Sequence, residues 1–278
     1  MSSNVRFLRS AQNYARRTSE TVTTPILING NGAYSGAPAI VQDAQFPMLN
    51  ALFSGRTGRV WDTGPTPANF GGDTIFEIDL VSQRAVLAIG VLGIQLHAGG
   101  LFPQSVAIEY LTGSTYSTIG WNASIGTVTA TSVGNGGRII TPVTARFWRF
   151  RFPLSSVGTG FRVAGFVLHT TVTDLGFLYS GADETRVLPR TLVEGYSRQA
   201  TITHVGPEYR RWALRYDNND ATLRSTFDAL YSDTEPFVFI TPDDAWNECV
   251  WDSEEFMRSH VWSPPDRYRL TAELRSLS

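Results

Sequence analysis

The chain contains no lysine: all 23 of its basic residues are arginine. Arginine forks onto carboxylates and stacks on aromatic rings, so a surface charged in this way suits protein contacts better than one of strongly hydrated lysines. It has one cysteine, Cys249. That excludes an internal disulfide framework and a cysteine-based zinc cluster, and its setting, Trp246-Asn247-Glu248-Cys249-Val250-Trp251, reads as a strand with a buried thiol. Charge of one sign is also lacking. With 25 acidic residues against 23 arginines the net charge is -2 and the pI about 6.1, which argues against nucleic acid or an anionic membrane as partner. No run approaches the ~20 apolar residues of a membrane span. The first residues, Met1 to Arg9, lack the apolar stretch of a signal peptide, so the sequence leads us to expect assembly in a cytoplasm.

What is present is apolar mass and alternation. The 278 residues are 42% hydrophobic, enough for real cores, and the length favours two domains. The first ~170 residues consist of short alternating runs broken by turn formers. Ile75, Glu77 and Asp79 alternate with Phe76, Ile78 and Leu80. Ala85 to Leu96 reads as a separate, buried central strand, and Ser105 to Leu111 as another. Arg146, Trp148, Phe150 and Phe152 alternate with Phe147, Arg149 and Arg151. This run and Phe161 to Leu168, joined by a glycine-rich loop, are expected to pair as antiparallel strands.

The C-terminal segment changes period. Trp212, Leu214 and Tyr216 alternate with Arg211, Ala213 and Arg215, as in a half-buried strand. Leu223, Phe227, Leu230 and Tyr231 then fall on one face of a short helix, capped by Asn218, Asn219 or Asp220. Strands follow at Pro236 to Ile240 and Arg267 to Arg275. The fold expected is mainly β: an N-terminal sandwich over 1–172, a linker or arm over 173–190, and a small α+β unit of strand, helix and strand over 191–278.

Two resemblances rest on these segments. The "RRWALRYDN", "ATLRSTFDALYSD", "PFVFITPDD" and "YRLTAELRSL" elements resemble the C-terminal part of minor tail and baseplate proteins of tailed bacteriophages. "GRVWDTG", "IFEIDLVSQRAVLAIGVLGIQL", "SVAIEYL", "ARFWRFRF" and "FRVAGFVL" are similar to a discoidin or galactose-binding-like jelly roll. The first implies a structural virion protein, held in the tail by contacts with other tail or baseplate proteins and forming a homo-oligomeric ring. The second implies, as the alternative, a carbohydrate-binding module that recognises a glycan on the host surface. Fold alone does not decide between them.

Candidate site residues are few. Trp61 and Trp121, near expected loops, are the candidates for stacking on a sugar ring, although tryptophans so placed more often seal the end of a sandwich. Arg211, Arg215, Trp246, Trp251 and Trp262 are the candidates for an assembly interface. The acidic stretch holding Asp243, Asp244, Glu248, Asp252, Glu254 and Glu255 lacks the ligand spacing and central glycine of a calcium loop, and reads as solvated or facing arginines. Gly99-Gly100 and Gly134-Asn135-Gly136-Gly137 read as turns, since neither opens a helix as a phosphate cradle does. His97, His169, His204 and His260 are scattered, with no catalytic or metal-binding spacing. The expectation is a non-enzyme with no metal and no cofactor.

Overall fold

The computed structural model describes residues 4–9, 12–15, 26–29, 61–62, 74–96, 105–117, 119–123, 125–129, 134–152, 161–175, 182–194, 200–204, 208–219, 221–231, 235–252, 257–261 and 267–277. Trp262, Asp220, His97 and Gly99-Gly100 lie outside them, as do the side chains of Trp61, His204 and His260. The protein is mainly β and divides into two bodies. One comprises Phe7–Thr173 with Asp244–Trp246; the other comprises Met1–Arg6, Asp174–Asp243 and Asn247–Ser278.

The first body is a jelly-roll β-sandwich. Its larger sheet runs Gly165–His169, Thr74–Leu92, Gly136–Phe152, Ser105–Leu111, Thr127–Thr129, with Ile26–Asn29 also paired to Thr74–Leu92. The smaller sheet places Phe161–Val163 between Trp61–Asp62 and Gln95–Leu96. Both sheets feed one core, because alternation sends Phe76, Ile78, Val106, Ile108, Trp148, Phe150 and Phe152 to the side where Phe161 and Val163 also lie. Phe150 stacks on Phe166 at 4.3 Å, and Phe152 on Phe161 at 5.0 Å. Aromatic pairs of this kind add to the burial of their area.

Two sequence expectations change here. The two runs expected as separate strands, up to Leu80 and from Ala85, are one 19-residue strand, Thr74–Leu92. The register against Gly136–Phe152 shifts between Asp79 and Arg84, and Val81 within the shift has φ 68°. A β-branched residue resists that conformation. The Val81 amide donates to Asp79 Oδ1 at 2.7 Å, and Arg146 clamps the same carboxylate through Nε and an Nη, each at 2.7 Å. The strand therefore bulges rather than ends. Nor does the expected hairpin form: Gly165–His169 pairs with Ala88–Leu92, while Phe161–Val163 joins the other sheet.

The second body is a small α+β unit. Its strands run Phe237–Ile240, Trp246–Trp251, Arg267–Ser276, Tyr209–Asn219, Ala182–Val187, with Met257–Val261 also paired to Arg267–Ser276. The Ala221–Tyr231 helix turns Phe227 and Leu230 inward. Phe227 meets Tyr216 at 5.5 Å, and Trp251 packs against Phe227, Tyr231 and Phe237 at 6.0, 5.4 and 5.1 Å. Cys249 is fully buried, which pushes its thiol pKa up and leaves it inert. Part of the span expected as a linker, Ala182–Val187, is an outer strand of this sheet. Asp183, Glu184, Thr185 and Arg186 are all exposed, so no alternation marks it.

Candidate functional site

The outer face of the larger sheet carries a row of charges. Glu77, Arg149 and Glu109 stand directly opposite one another on three neighbouring strands. Opposite charges in register attract across a sheet. Arg149 Nε donates to Glu109 Oε2 at 2.5 Å, an Nη of Arg149 also engages Glu109, and an Arg151 Nη reaches Glu109 Oε1 at 3.3 Å. The other Nη of Arg149 lies 3.7 Å from Glu77 Oε1. The arginine hydrogen bonds thus go to Glu109.

Glu77 is satisfied differently. The Tyr116 hydroxyl donates to its Oε2 at 2.6 Å. Tyr116 belongs to the loop that leaves the Ser105–Leu111 strand and returns at Asn122, whose amide donates to the Tyr110 carbonyl at 2.8 Å. Beside it, Trp121 lies with the Arg149 guanidinium 4.5 Å from its ring centroid, a cation–π contact. Tyr116 and Trp121 pack on Leu111 and Phe147. The loop therefore covers the charge row, and Glu77 and Glu109 are only 3% and 4% exposed. Burial is the main cause that raises the Glu77 pKa above the ordinary carboxylate value; the Tyr116 bond and Arg149 oppose it, and Glu109 adds to it.

Above the row the loop offers neutral polar surface. Thr112, Ser114 and Thr115 are exposed, Trp121 is half-buried, and Ile119 at the tip is 77% exposed. The Trp121 indole N–H is enclosed without a hydrogen-bond partner. Chemically, the loop combines an aromatic ring fixed by Arg149 with exposed hydroxyl-bearing residues.

The other candidates fall elsewhere. Trp61 lies in the smaller sheet opposite Val163. Trp246 is 2% exposed, with its ring over Gly137 and its carbonyl accepting from Asn135 Nδ2 at 3.3 Å. Trp251 is half-buried, and its Nε1 donates to the Leu230 carbonyl at 3.0 Å. Arg211 binds Asp252 at 2.6 Å and lies 3.7 Å from Glu273; Arg215 is exposed, 4.0 Å from Asp183. The structure thus brings Trp121 together with the charge row, whereas Trp251, Arg211 and Arg215 belong to the other body. Asp252 also lies 3.6 Å from Arg275, so this part of the acidic stretch faces arginines. Among the described residues, no group of three His, Cys, Asp or Glu side chains is placed to hold a metal.

His169 is structural in its contacts. Its Nε2 donates to the Arg9 carbonyl at 2.6 Å, and its Nδ1 accepts from the Thr171 amide at 3.3 Å, which fixes a neutral tautomer. Burial lowers its pKa to about 4.

Glu77, Glu109, Tyr116 and Arg149 were not singled out by the sequence. The signal was present as charged residues at some of the outward positions of three alternating apolar strands. It required the register to become a row.

No protein-family model and no curated protein matches the chain. Among solved structures it is similar to chitosan-binding module 1 from a chitosanase/glucanase of Paenibacillus sp. IK-5, at 16% identity and TM-score 0.37, over 57% of this chain and 98% of that one. It is similar also to the family 32 carbohydrate-binding module of Streptococcus pneumoniae EndoD, at 13% identity and TM-score 0.36, over 54% and 98%. A third, CBM32-1 from a family 31 glycoside hydrolase of Clostridium perfringens, gives 17% identity and TM-score 0.31, over 43% and 82%. Alignments this shallow transfer neither a ligand nor a role.

Proposed function

We propose that the protein is a non-catalytic binding protein whose sandwich recognises a neutral carbohydrate through the 112–122 loop. The observation that carries this reading is Trp121: a half-buried ring, held on the sheet by Arg149, in a loop that also exposes Thr112, Ser114 and Thr115. Sugar rings present C–H faces to aromatics and hydroxyls to polar groups, and a contact fixed before binding loses little entropy on complex formation. The charges below are matched among themselves, which favours a neutral ligand over an acidic one. A glycan array probed with the full chain tests it. Binding to a set of neutral glycans, lost in Trp121→Ala with the fold intact, is the expected result; no binding by the wild-type chain would overturn it.

A second reading concerns the other body. Its order of strand, helix, strand and closing strand is the pattern that resembles phage tail and baseplate proteins, and it supports a role as a structural virion component assembled in the host cytoplasm into a homo-oligomeric ring with other tail proteins. The two readings are compatible, since an attachment body and a recognition body can share one chain. Quantitative mass spectrometry of purified particles tests the second: a fixed copy number per particle supports it, and trace amounts oppose it.

A further inference from the structure

We infer that the segment 12–15 guards the open edge of the sandwich's larger sheet, and that a second copy of this chain pairs with that edge when the guard is loosened at Asn13. The pairing needs neither a glycan nor a tail. The sheet ends at Gly165–His169, and among the described residues no further strand extends it. The edge of a sheet carries backbone groups that require partners. Four of them are met by the guard. The Leu168 carbonyl accepts from the Tyr14 amide at 2.9 Å, and the Thr170 amide donates to the Gln12 carbonyl at 3.3 Å. The other two go to one side chain: Asn13 Nδ2 donates to the Phe166 carbonyl at 2.9 Å, and Asn13 Oδ1 accepts from the Leu168 amide at 3.0 Å. Asn13 thus stands in for a length of backbone, in a segment that touches the strand as a single bridge, opposite His169. Its Oδ1 also accepts from the Ala15 amide at 3.1 Å, Ala15 enters the core, and the Arg84 guanidinium lies 5.3 Å from the centroid of the Tyr14 ring.

The partner follows from the spacing of the four groups. Leu168 presents both its amide and its carbonyl to the edge, Phe166 its carbonyl and Thr170 its amide, so the set is symmetric about Leu168. In an antiparallel ladder, hydrogen-bonded residues exchange both bonds, and the residue two before one faces the residue two after the other. Two copies of this edge related by a twofold axis therefore match. Leu168 exchanges both bonds with its counterpart, and each Thr170 amide meets the Phe166 carbonyl opposite. The strand itself offers no deterrent, because Gly165–His169 carries no acidic residue and no arginine, the charges by which exposed edges avoid one another. The guard supplies the protection that the strand lacks.

Asn13→Ala in the full chain tests this, with circular dichroism to show that the fold is kept. At low concentration its Leu168 and Thr170 amides are expected to exchange about tenfold faster than in the wild type, as the guard's hydrogen bonds are lost. Sedimentation velocity over a concentration series is expected to show the variant gaining a species of twice the wild-type mass. Protection of the two amides is expected to return where that species forms. Asn13→Asp, which keeps an acceptor for the Leu168 and Ala15 amides but loses the donor to Phe166, is expected to shift the same way to a smaller extent, and carries the test if Asn13→Ala does not fold. Three results would overturn the inference: amides as protected in the variant as in the wild type, fast-exchanging amides with the wild-type mass at every concentration, or a doubled species in which the two amides stay unprotected.

Discussion

The two bodies handle charge in opposite ways. In the sandwich, Glu77, Arg149 and Glu109 are laid in register and then roofed by Tyr116 and Trp121. In the second body, Arg211 and Arg275 stand opposite each other on paired strands, a repulsive arrangement, and Asp252 joins both near the surface. A covered row depends on completeness, because a charge left without its partner there cannot turn to water. The second triad is less covered, with Arg275 exposed and Arg211 and Asp252 half-buried, so solvent compensates more of the loss of a member. The difference teaches where charge fixes geometry in this chain, and where it only tunes a surface.

Breaking the row at its best-bonded member is expected to have the largest effect. Glu109→Ala leaves Arg149 covered with only a distant partner, and is expected to destabilise the sandwich by about 3 kcal/mol. Urea unfolding followed by exchange protection of the Ser105–Leu111 strand measures it. Gly137→Ala comes next: a methyl there would lie 2.3 Å from the Trp246 ring, and overpacking of this kind costs about 2 kcal/mol. The same unfolding series reads that loss.

Acidification sharpens the contrast inside the sandwich. His169, with a pKa of about 4 in the fold against an ordinary 6.5, stays neutral while the unfolded chain takes up a proton. Its contribution is intact above pH 6.5 and is lost as pH falls towards 4, about 2 kcal/mol of it by pH 5. Glu77 acts in the other direction. A His169→Gln variant that folds should show a flatter acid limb in a pH series of unfolding. The smallest effect is expected in the second body, where Asp252→Asn should cost about 1 kcal/mol or less and become weaker in high salt.

Alternation made much of the fold legible. The outward positions of Ile75, Glu77 and Asp79, the helix face of Phe227 and Leu230, and the buried setting of Cys249 all follow from period and context. What failed depended on distant partners. Nothing local shows that Val81 adopts φ 68°, because the cause is an Asp79 carboxylate held by Arg146, 67 residues away. Gly136 and Gly137, read as part of a turn, are in a strand, and the second leaves room for a tryptophan more than 100 residues later. Ala182–Val187 escaped because a strand exposed on both sides has no alternation to show. Trp121 was legible as a candidate contact, but its support, Arg149 with Glu77, Glu109 and Tyr116, became visible only when three strands were set in register.

The most direct test compares one tryptophan from each body. Full-length chains carrying Trp121→Ala or Trp251→Phe, each shown by circular dichroism to be folded, are probed on the same glycan array as the wild type. The account predicts that binding disappears with Trp121→Ala and persists with Trp251→Phe. Binding that survives Trp121→Ala, or that is lost only with Trp251→Phe, would contradict it.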